Sequence, residues 1–282
     1  MPEPPLAGWG TRVRAVARLV RWQNAIIAAL GVVVGAVWAR GSVSSATGWA
    51  ALAAIGFTAF ANADNDVQDA AIDRVAHPAR PIPSGALSRR MASIVAVAGA
   101  FVGIGASSFT GLPGLLNAAP FVLVAMAAYN RWLARTGVPG NVTVAALASL
   151  PFAYGAASVG DARTGIALAA VAAPLHLARE VAKDLDDALG DASHRRTLGT
   201  VAPRWMAPVA VLFALALFAY GAMRLARAAP RLPILLVPAF VLCALAARRV
   251  VARRTGAPLL FKLAMIVSLA AIVLARRPLP FE

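Results

Sequence analysis

The stretch ATGWAALAAIGFTAFANADNDVQDAAID, residues 46–73, begins as an apolar run and ends in a cluster of acids. Its apolar part, 46–64, has the length that an α-helix needs to cross the hydrocarbon core of a bilayer. Backbone polar groups find no water in that core, so a run of this kind must be helical. The stretch therefore predicts a membrane-spanning helix that carries carboxylates at one end.

Similar apolar runs recur along the whole chain, in which 60% of the residues are hydrophobic. We expect an all-α membrane protein, a bundle of nine transmembrane helices that forms a single domain over residues 1–282. The first run follows four arginines, but it is long enough to span and no clear Ala-x-Ala site follows it, so we interpret it as a helix rather than a signal peptide. The predicted spans are 23–39, 46–64, 91–109, 114–133, 141–159, 163–182, 205–223, 232–248 and 257–275.

The net charge of +15 would suit a nucleic-acid-binding protein, but the basic residues lie mainly in the loops between the predicted spans. With the N-terminus in the cytoplasm, the inner segments hold 19 lysines and arginines and the outer segments hold seven. This distribution follows the positive-inside rule. We therefore expect membrane lipids and no nucleic acid as partners, and a multi-pass protein of the cell inner membrane.

Nine of the twelve acidic residues fall in two windows, 64–73 and 180–191. The windows close the second and the sixth predicted span, so both face the same side, which the charge distribution makes cytoplasmic. Carboxylates crowded this closely repel one another unless a cation lies among them. Each window is therefore a candidate metal site, and the alternative is a solvated helix end at the membrane surface.

Helical spacing predicts which of these side chains act together. Asn65, Asp69 and Asp73 are four residues apart and share one helix face, whereas Asp66 points elsewhere. In the second window Asp186 lies off a stripe with the spacing i, i+4, i+7, i+11. Two such stripes facing across a bundle would hold Mg²⁺, completed by phosphate and water oxygens. The second stripe consists of Glu180, Asp184, Asp187 and Asp191.

Cations surround both windows. Carboxylate stripes with interleaved arginine and lysine fit a diphosphate held through metal, since neither sign of charge alone would bind it well. For each arginine taken singly, anchoring at the membrane surface is the alternative. The residues concerned are Arg80, Arg89, Arg90, Arg131, Arg135, Arg179 and Lys183.

These motifs resemble those of the UbiA superfamily of intramembrane prenyltransferases. That family has nine helices, with Asn-Asp-x-x-Asp-x-x-x-Asp after the second and Asp-x-x-Asp-x-x-x-Asp after the sixth. Here they read NDVQDAAID at 65–73 and DLDDALGD at 184–191, and HPARPIPSG at 77–85 is similar to the family's Arg-Pro-x-Pro-Ser-Gly. The resemblance covers essentially the whole chain.

By position, the resemblance implies two Mg²⁺ ions that hold a prenyl diphosphate. The implied metal ligands are Asn65, Asp69, Asp73, Asp184, Asp187 and Asp191, with Asp69, Asp73, Asp187 and Asp191 as the catalytic carboxylates. Ala134 stands where many relatives carry a lysine, which leaves Arg131 and Arg135 as its substitutes. The implied substrate-binding residues are Asn24, Arg80, Tyr129, Arg131, Arg135, Arg179 and Lys183.

The expected reaction begins with ionisation of the allylic C–O bond, because metal and cationic side chains stabilise the charge on the departing diphosphate. Apolar walls keep water from the carbon left behind. The aromatic residues Phe57, Phe60, Phe152 and Tyr154 either offer π faces to that carbon or simply pack.

The identity of the acceptor is left open by the residues themselves. Segments 179–191 and 135–141 look most like the branch of geranylgeranylglycerol-phosphate geranylgeranyltransferases, which implies a glyceryl phosphate precursor of ether lipids. Prenylation of an aromatic ring for quinones or pigments is the alternative. A protein of another class, a divalent-cation transporter, would be expected to place acids near the midplane or on both sides of the membrane.

Overall fold

The computed structural model describes residues 9–190 and 204–276, with the side chains of 189 and 190 excepted. Within these ranges the chain is helical and contains no strand, as the apolar runs predict. A short 3-10 turn, Leu133–Arg135, joins the fifth helix to the sixth. The helices are α1 (Trp9–Leu19), α2 (Trp22–Arg40), α3 (Ser45–Ala76), α4 (Arg89–Phe109), α5 (Pro113–Arg131), α6 (Val138–Ala157), α7 (Ala162–Gly190), α8 (Met206–Ala226), α9 (Leu232–Val251) and α10 (Ala257–Arg276).

In the described part of the chain, the long helices α2 to α10 follow the nine predicted spans in order. Eight of them are long and apolar enough to cross a membrane, judged by length and composition. The remaining long helix, α6, is not among these eight candidate spans, and it packs against α2 and α7. The chain is thus an integral, multi-pass membrane protein with an all-helical fold.

Two helices are longer than the predicted spans that they contain. α3 continues to Ala76 and α7 to Gly190, whereas the predicted spans end at 64 and 182. Hydropathy falls where the acids begin, but helical hydrogen bonding continues through them. Both acidic windows therefore lie on continuous helix, except that Asp191, the last residue of the second motif, lies outside the described residues.

The helix α1 is an element that the apolar runs do not predict. Its residues Ala15 and Leu19, four apart, are buried in one cluster with Val67 of α3 and Leu87 before α4. Between α1 and α2, Arg21 adopts a left-handed backbone conformation with φ 50° and ψ 60°. That conformation is costly for a residue with a side chain, so the surrounding contacts must hold it in place.

Side-chain caps fix the starts of three helices. Ser44 and Thr47 form a capping box at α3, in which each side chain accepts from the other's backbone N–H. The Ser88 hydroxyl accepts from Met91 at α4. At α7, Asp161 accepts from the backbone N–H of Thr164. Hydrogen bonds from the side chain and the backbone of Thr164 lower the pKa of the Asp161 carboxyl. Such caps satisfy donors that the first helical turn leaves unpaired.

Glycine allows the backbones of neighbouring helices to come into contact. A Cβ placed on Gly155 of α6 would collide with the carbonyl oxygen of Val32 on α2. A Cβ on Gly56 of α3 would lie 2.5 Å from the backbone nitrogen of Gly103 on α4. Small residues at such crossings are typical of helix packing in membranes. The last helix, α10, packs against α2, α7 and α9 and so joins the two ends of the chain.

Candidate active site

One large cavity of about 330 Å³ lies among helices α2, α3, α5, α6, α7, α8 and α10. Its deep part is apolar, with side chains that include Phe57, Phe152, Leu168, Phe218 and Leu269. Its other end is polar and is formed where the helices that carry the acidic windows end. The polar lining residues include Arg21, Asn24, Asn62, Asn65, Arg80, Asn130, Asn141, His176, Arg179, Glu180, Lys183, Asp184 and Lys262.

Arg80, in the loop after α3, folds back onto the first acidic window. Its guanidinium lies 2.6 Å from Oδ2 of Asp73 and 3.5 Å from Oδ1 of Asp66. Arg21 approaches the same Asp66 oxygen at 2.9 Å and donates to Asn62 as well. Two nearly inaccessible carboxylates are thus neutralised by two arginines that also line the cavity. The second oxygen of Asp73 is buried without a hydrogen-bond partner among the described residues.

The other acids of this window are held by α5 and the turn that follows it. Asn130 donates to Asp64 at 2.9 Å, and Arg131 lies 3.5 Å from the same oxygen. Arg135 lies 3.3 Å from Asp69, whose side chain is almost fully buried. Arg131 and Arg135 are therefore paired with α3, and neither is part of the cavity lining.

In the second window, Asp184 accepts a hydrogen bond from Asn141 on α6 at 2.9 Å. Glu180 pairs with the neighbouring Arg179 and, at 3.8 Å, with Lys183. Asp186 accepts from the backbone N–H of Gly256 at the start of α10, away from the cavity, as its helical position predicts. The bond between Asn141 and Asp184 joins the two segments, 135–141 and 179–191, that the sequence singles out.

The structure brings most of the predicted substrate-binding residues to one cavity, whereas several predicted metal ligands do not line that cavity. The lining contains the predicted residues Asn24, Asn65, Arg80, Tyr129, Arg179, Lys183 and Asp184. Asp69, Asp73 and Asp187 are not among the lining residues, and Asp191 is outside the described part. Among the described residues, no three carboxylates, histidines or cysteines are close enough to hold a metal ion alone.

Three residues with contacts at the site, of which Asn141 and Lys262 line the cavity and Asp66 does not, are absent from the sequence prediction. Helical spacing places Asp66 off the stripe of Asn65 and Asp69, yet it stands seven residues before Asp73 and shares Arg80 with it. The sequence does contain a feature that could have identified Asn141 and Lys262, because each is a polar residue in a predicted apolar span. Their partners, Asp184 and Asn24, are far away in sequence, so no local pattern connects them.

Three of the four aromatic residues singled out from the sequence line the cavity. Phe57, Phe152 and Tyr154 are at its wall, and the rings of Phe57 and Tyr154 meet edge to face at 6.2 Å. The Tyr154 hydroxyl donates to the backbone of Leu115, so its ring is held in position. Phe60 is different, because it packs against the cluster formed by α1, α3 and α4.

The fold and the cavity together define a class, namely helical multi-pass membrane proteins that enclose an amphipathic binding site. The model of the UbiA prenyltransferase family matches residues 26–270 of the chain. A Halobacterium salinarum protein named digeranylgeranylglyceryl phosphate synthase is 40% identical over 192 residues, which are 67% of this chain and 69% of that protein.

Two solved structures are similar to the fold. An apo UbiA homolog from Aeropyrum pernix K1 has a TM-score of 0.76 at 18% identity, over 89% of this chain and 98% of that chain. A UbiA homolog from Archaeoglobus fulgidus bound to GPP and Mg²⁺ has a TM-score of 0.66 at 16% identity, over 93% of this chain and 98% of that one.

The chain belongs to the UbiA prenyltransferase family. It is therefore an enzyme that transfers a prenyl group, as the two acidic motifs predicted, and the cation-transporter alternative is excluded. The prediction of an all-helical UbiA-like membrane fold is confirmed as well.

Proposed function

We propose that the protein transfers a geranylgeranyl group from its diphosphate to a hydroxyl of a glyceryl phosphate lipid precursor, with formation of an ether. The observation that carries this proposal is the cavity, which joins a deep apolar part to a polar end rich in cations. The apolar part suits an isoprenoid chain, and the polar end suits phosphate groups. The name of the Halobacterium salinarum relative supports this acceptor class over an aromatic ring.

The two motifs supply carboxylate and amide oxygens, the kind of ligand that Mg²⁺ prefers together with water and phosphate oxygens. Asn65 and Asp184 line the cavity from opposite helices, and one oxygen of Asp73 is buried without a partner. Asp69 and Asp187 complete the set within the described residues, and Asp191 is the remaining predicted ligand. Bound Mg²⁺ would supply positive charge that stabilises the departing diphosphate.

The protein's own side chains bind the diphosphate and exclude water. Arg80 and Lys183, at the polar end, donate to the diphosphate oxygens, with Arg21 beside them. The allylic C–O bond breaks with its electron pair leaving on the diphosphate, and the acceptor oxygen forms the new bond while its proton passes to the departing diphosphate. Phe57 and Phe152 shield the cationic carbon and face it with aromatic rings.

For the whole chain we propose one catalytic domain over 1–282 in the cell inner membrane, with the N-terminus and the polar end of the cavity towards the cytoplasm. The 19 to seven excess of basic residues on that side supports this orientation. Helix α1 and the loops after α3, α5 and α7 would then lie in the cytoplasm, where phosphorylated substrates are made.

The proposal is tested by incubating purified protein with labelled geranylgeranyl diphosphate and a panel of glyceryl phosphate and aromatic acceptors, with Mg²⁺ or with EDTA. We expect Mg²⁺-dependent labelling of the glyceryl phosphate. Labelling of an aromatic acceptor alone would overturn the acceptor class, and full transfer in EDTA would overturn the metal assignment.

The metal assignment is also tested by substitution. Asp69→Asn and Asp187→Asn are each expected to lower turnover by about a hundredfold or more, because each removes a proposed metal ligand. Asp161→Asn is the matched control, since Asp161 lies on the loop before α7, outside the cavity lining, and asparagine caps a helix as well as aspartate does. Near-normal transfer by either of the first two variants would contradict the assignment.

A further inference from the structure

Lys262 is the single charged residue between Ala257 and Ala275 of helix α10. Its side chain is directed inward, because it lines the cavity and its ammonium donates to Oδ1 of Asn24 on α2 at 3.1 Å. Neither the metal motifs nor the arginines that follow them involve this helix. The reaction as derived above gives Lys262 no role.

Lys262 lies five residues after the start of α10, within an apolar spanning helix, where a charge is costly to retain. Carboxylates usually compensate such a charge, yet none of the described residues forms an ion pair with Lys262. Its partner Asn24 is neutral. An unpaired ammonium that faces a cavity is a ready binding site for an anion.

The hydrogen bond to Lys262 also orients Asn24. An ammonium only donates, so the amide oxygen of Asn24 must face it, which leaves the amide Nδ2 as a second donor. Arg179, on α7, lines the same cavity, and its guanidinium has more donors than its contact with Glu180 uses. Donors from α2, α7 and α10 therefore line the same polar end of the cavity.

Lys262 and Asn24 bond to each other rather than to an acid of the first window, and Arg179 pairs with Glu180 of the second. Arg80 belongs to the loop after α3 and is paired with Asp66 and Asp73. Helix α10 packs against α2, α7 and α9 instead. The polar end of the cavity thus has two cationic parts, one beside the acids of α3 and one beside α10.

We propose that Lys262, Asn24 and Arg179 form a second anion subsite, which binds the phosphate of the acceptor while the diphosphate binds at the acidic windows. This inference rests on the proposed function and specifies how the acceptor is chosen. An acceptor without phosphate would leave Lys262 uncompensated, so the subsite selects phosphorylated glyceryl lipids over neutral ones.

The test is a steady-state comparison of wild type with Lys262→Met, which retains an unbranched side chain and removes the charge. We expect the KM for a prenylglyceryl phosphate to rise about ten- to a hundredfold, the range for loss of charge-assisted hydrogen bonds. The KM for geranylgeranyl diphosphate and kcat should stay within about twofold, since the donor binds elsewhere. Lys262→Arg should restore most of the acceptor affinity.

Leu263→Met on the lipid-facing side of α10 is the matched control and should behave as wild type. Asn24→Ala provides a second variant and should raise the acceptor KM in the same direction. A binding measurement by calorimetry with prenylglyceryl phosphate and with the unphosphorylated prenylglycerol adds a readout that needs no turnover. Discrimination between these two ligands should largely disappear in Lys262→Met.

An unchanged acceptor KM in Lys262→Met, or a rise confined to the KM for the diphosphate, would overturn the subsite. That result is distinguishable from failure of the proposed function, in which wild type itself would transfer nothing to glyceryl phosphates and would bind the phosphorylated and unphosphorylated ligands equally.

Discussion

At the scale of single residues, Arg21 and Arg80 at the polar end of the cavity hold buried carboxylates as well as lining the cavity. Replacing Arg80 by alanine leaves Asp66 and Asp73 with fewer cationic partners. We expect Arg80→Ala to destabilise the fold by about 2–3 kcal/mol, below the roughly 3–5 kcal/mol of a fully buried pair because the Arg80 side chain is 23% exposed. Thermal unfolding in detergent measures the change.

Two comparisons make the Arg80 prediction specific. Arg89→Ala, at an exposed position of the next helix, should leave the unfolding temperature unchanged. The double variant Arg80→Ala/Asp73→Asn should recover part of the lost stability, since it removes a charge that Arg80 compensates. Equal stabilities of Arg80→Ala and Arg89→Ala would show that the ion pairs contribute nothing.

We propose that Asn141 is a positioning residue, which acts through its hydrogen bond to Asp184, a proposed metal ligand. Its amide donates to that carboxylate at 2.9 Å from the first turn of α6. We expect Asn141→Ala to lower kcat/KM for the prenyl diphosphate about tenfold, the cost of one hydrogen bond to a charged group. The control is Thr143→Ala, whose hydroxyl bonds only to the backbone of its own helix.

A shift in the Mg²⁺ concentration needed for half-maximal rate would separate positioning from simple loss of folding in Asn141→Ala. An unaltered Mg²⁺ dependence together with an unaltered kcat/KM would contradict the role given to Asn141.

The sequence predicts the carboxylates of the site better than it predicts their partners. Spacing along one helix can be derived from the amino-acid sequence, so Asp69, Asp73 and Asp184 can be predicted to belong to the motifs. The partners belong to other helices, with Arg21 45 residues from Asp66 and Arg135 66 residues from Asp69. Those pairings depend on how the helices pack, which no local period encodes.

At the scale of helices, close packing of α2 against α6 holds two walls of the cavity in place. We expect Gly155→Ala to destabilise the protein by about 1–3 kcal/mol, because the added methyl meets the Val32 backbone and neither helix can move without disturbing its neighbours. Gly105→Ala is the control, since a Cβ there meets nothing within 4 Å. The unfolding temperatures of the two variants measure the difference.

An unfolding temperature for Gly155→Ala at or above that of wild type would mean that α2 and α6 are not packed backbone to backbone. Gly105→Ala should unfold at the wild-type temperature or slightly above it, as alanine favours helix over glycine.

Hydropathy predicts where helices cross the membrane but not where they end. In residues 9–190 and 204–276, the order of the nine long helices follows the apolar runs, because each must satisfy its backbone within itself. The ends of α3 and α7 were underestimated since the acids lower hydropathy without breaking the helix. Helix α1 was missed because its buried residues, Ala15 and Leu19, lie among arginines.

At the scale of the whole molecule, the first and last spanning helices close the bundle. Lys262 reaches Asn24, and near the other end of α10 Arg276 donates to the carbonyl of Trp38 at 3.0 Å and lies over its ring. These two contacts each join residues 238 positions apart. The cavity is therefore complete only when both ends of the chain are in place, although the acidic motifs belong to α3 and α7.

The orientation of the molecule can be tested by cysteine labelling, since its single native cysteine, Cys243, is buried and wild type should not react. Ala228 and Thr255 are exposed beyond opposite ends of α9. Both residues are uncharged, so replacing either by cysteine leaves the charge distribution unchanged. In intact cells, a maleimide that cannot cross membranes should label Ala228→Cys and leave Thr255→Cys unlabelled until the cells are permeabilised. The reverse pattern would place the polar end of the cavity outside the cytoplasm, against the direction favoured by the basic residues.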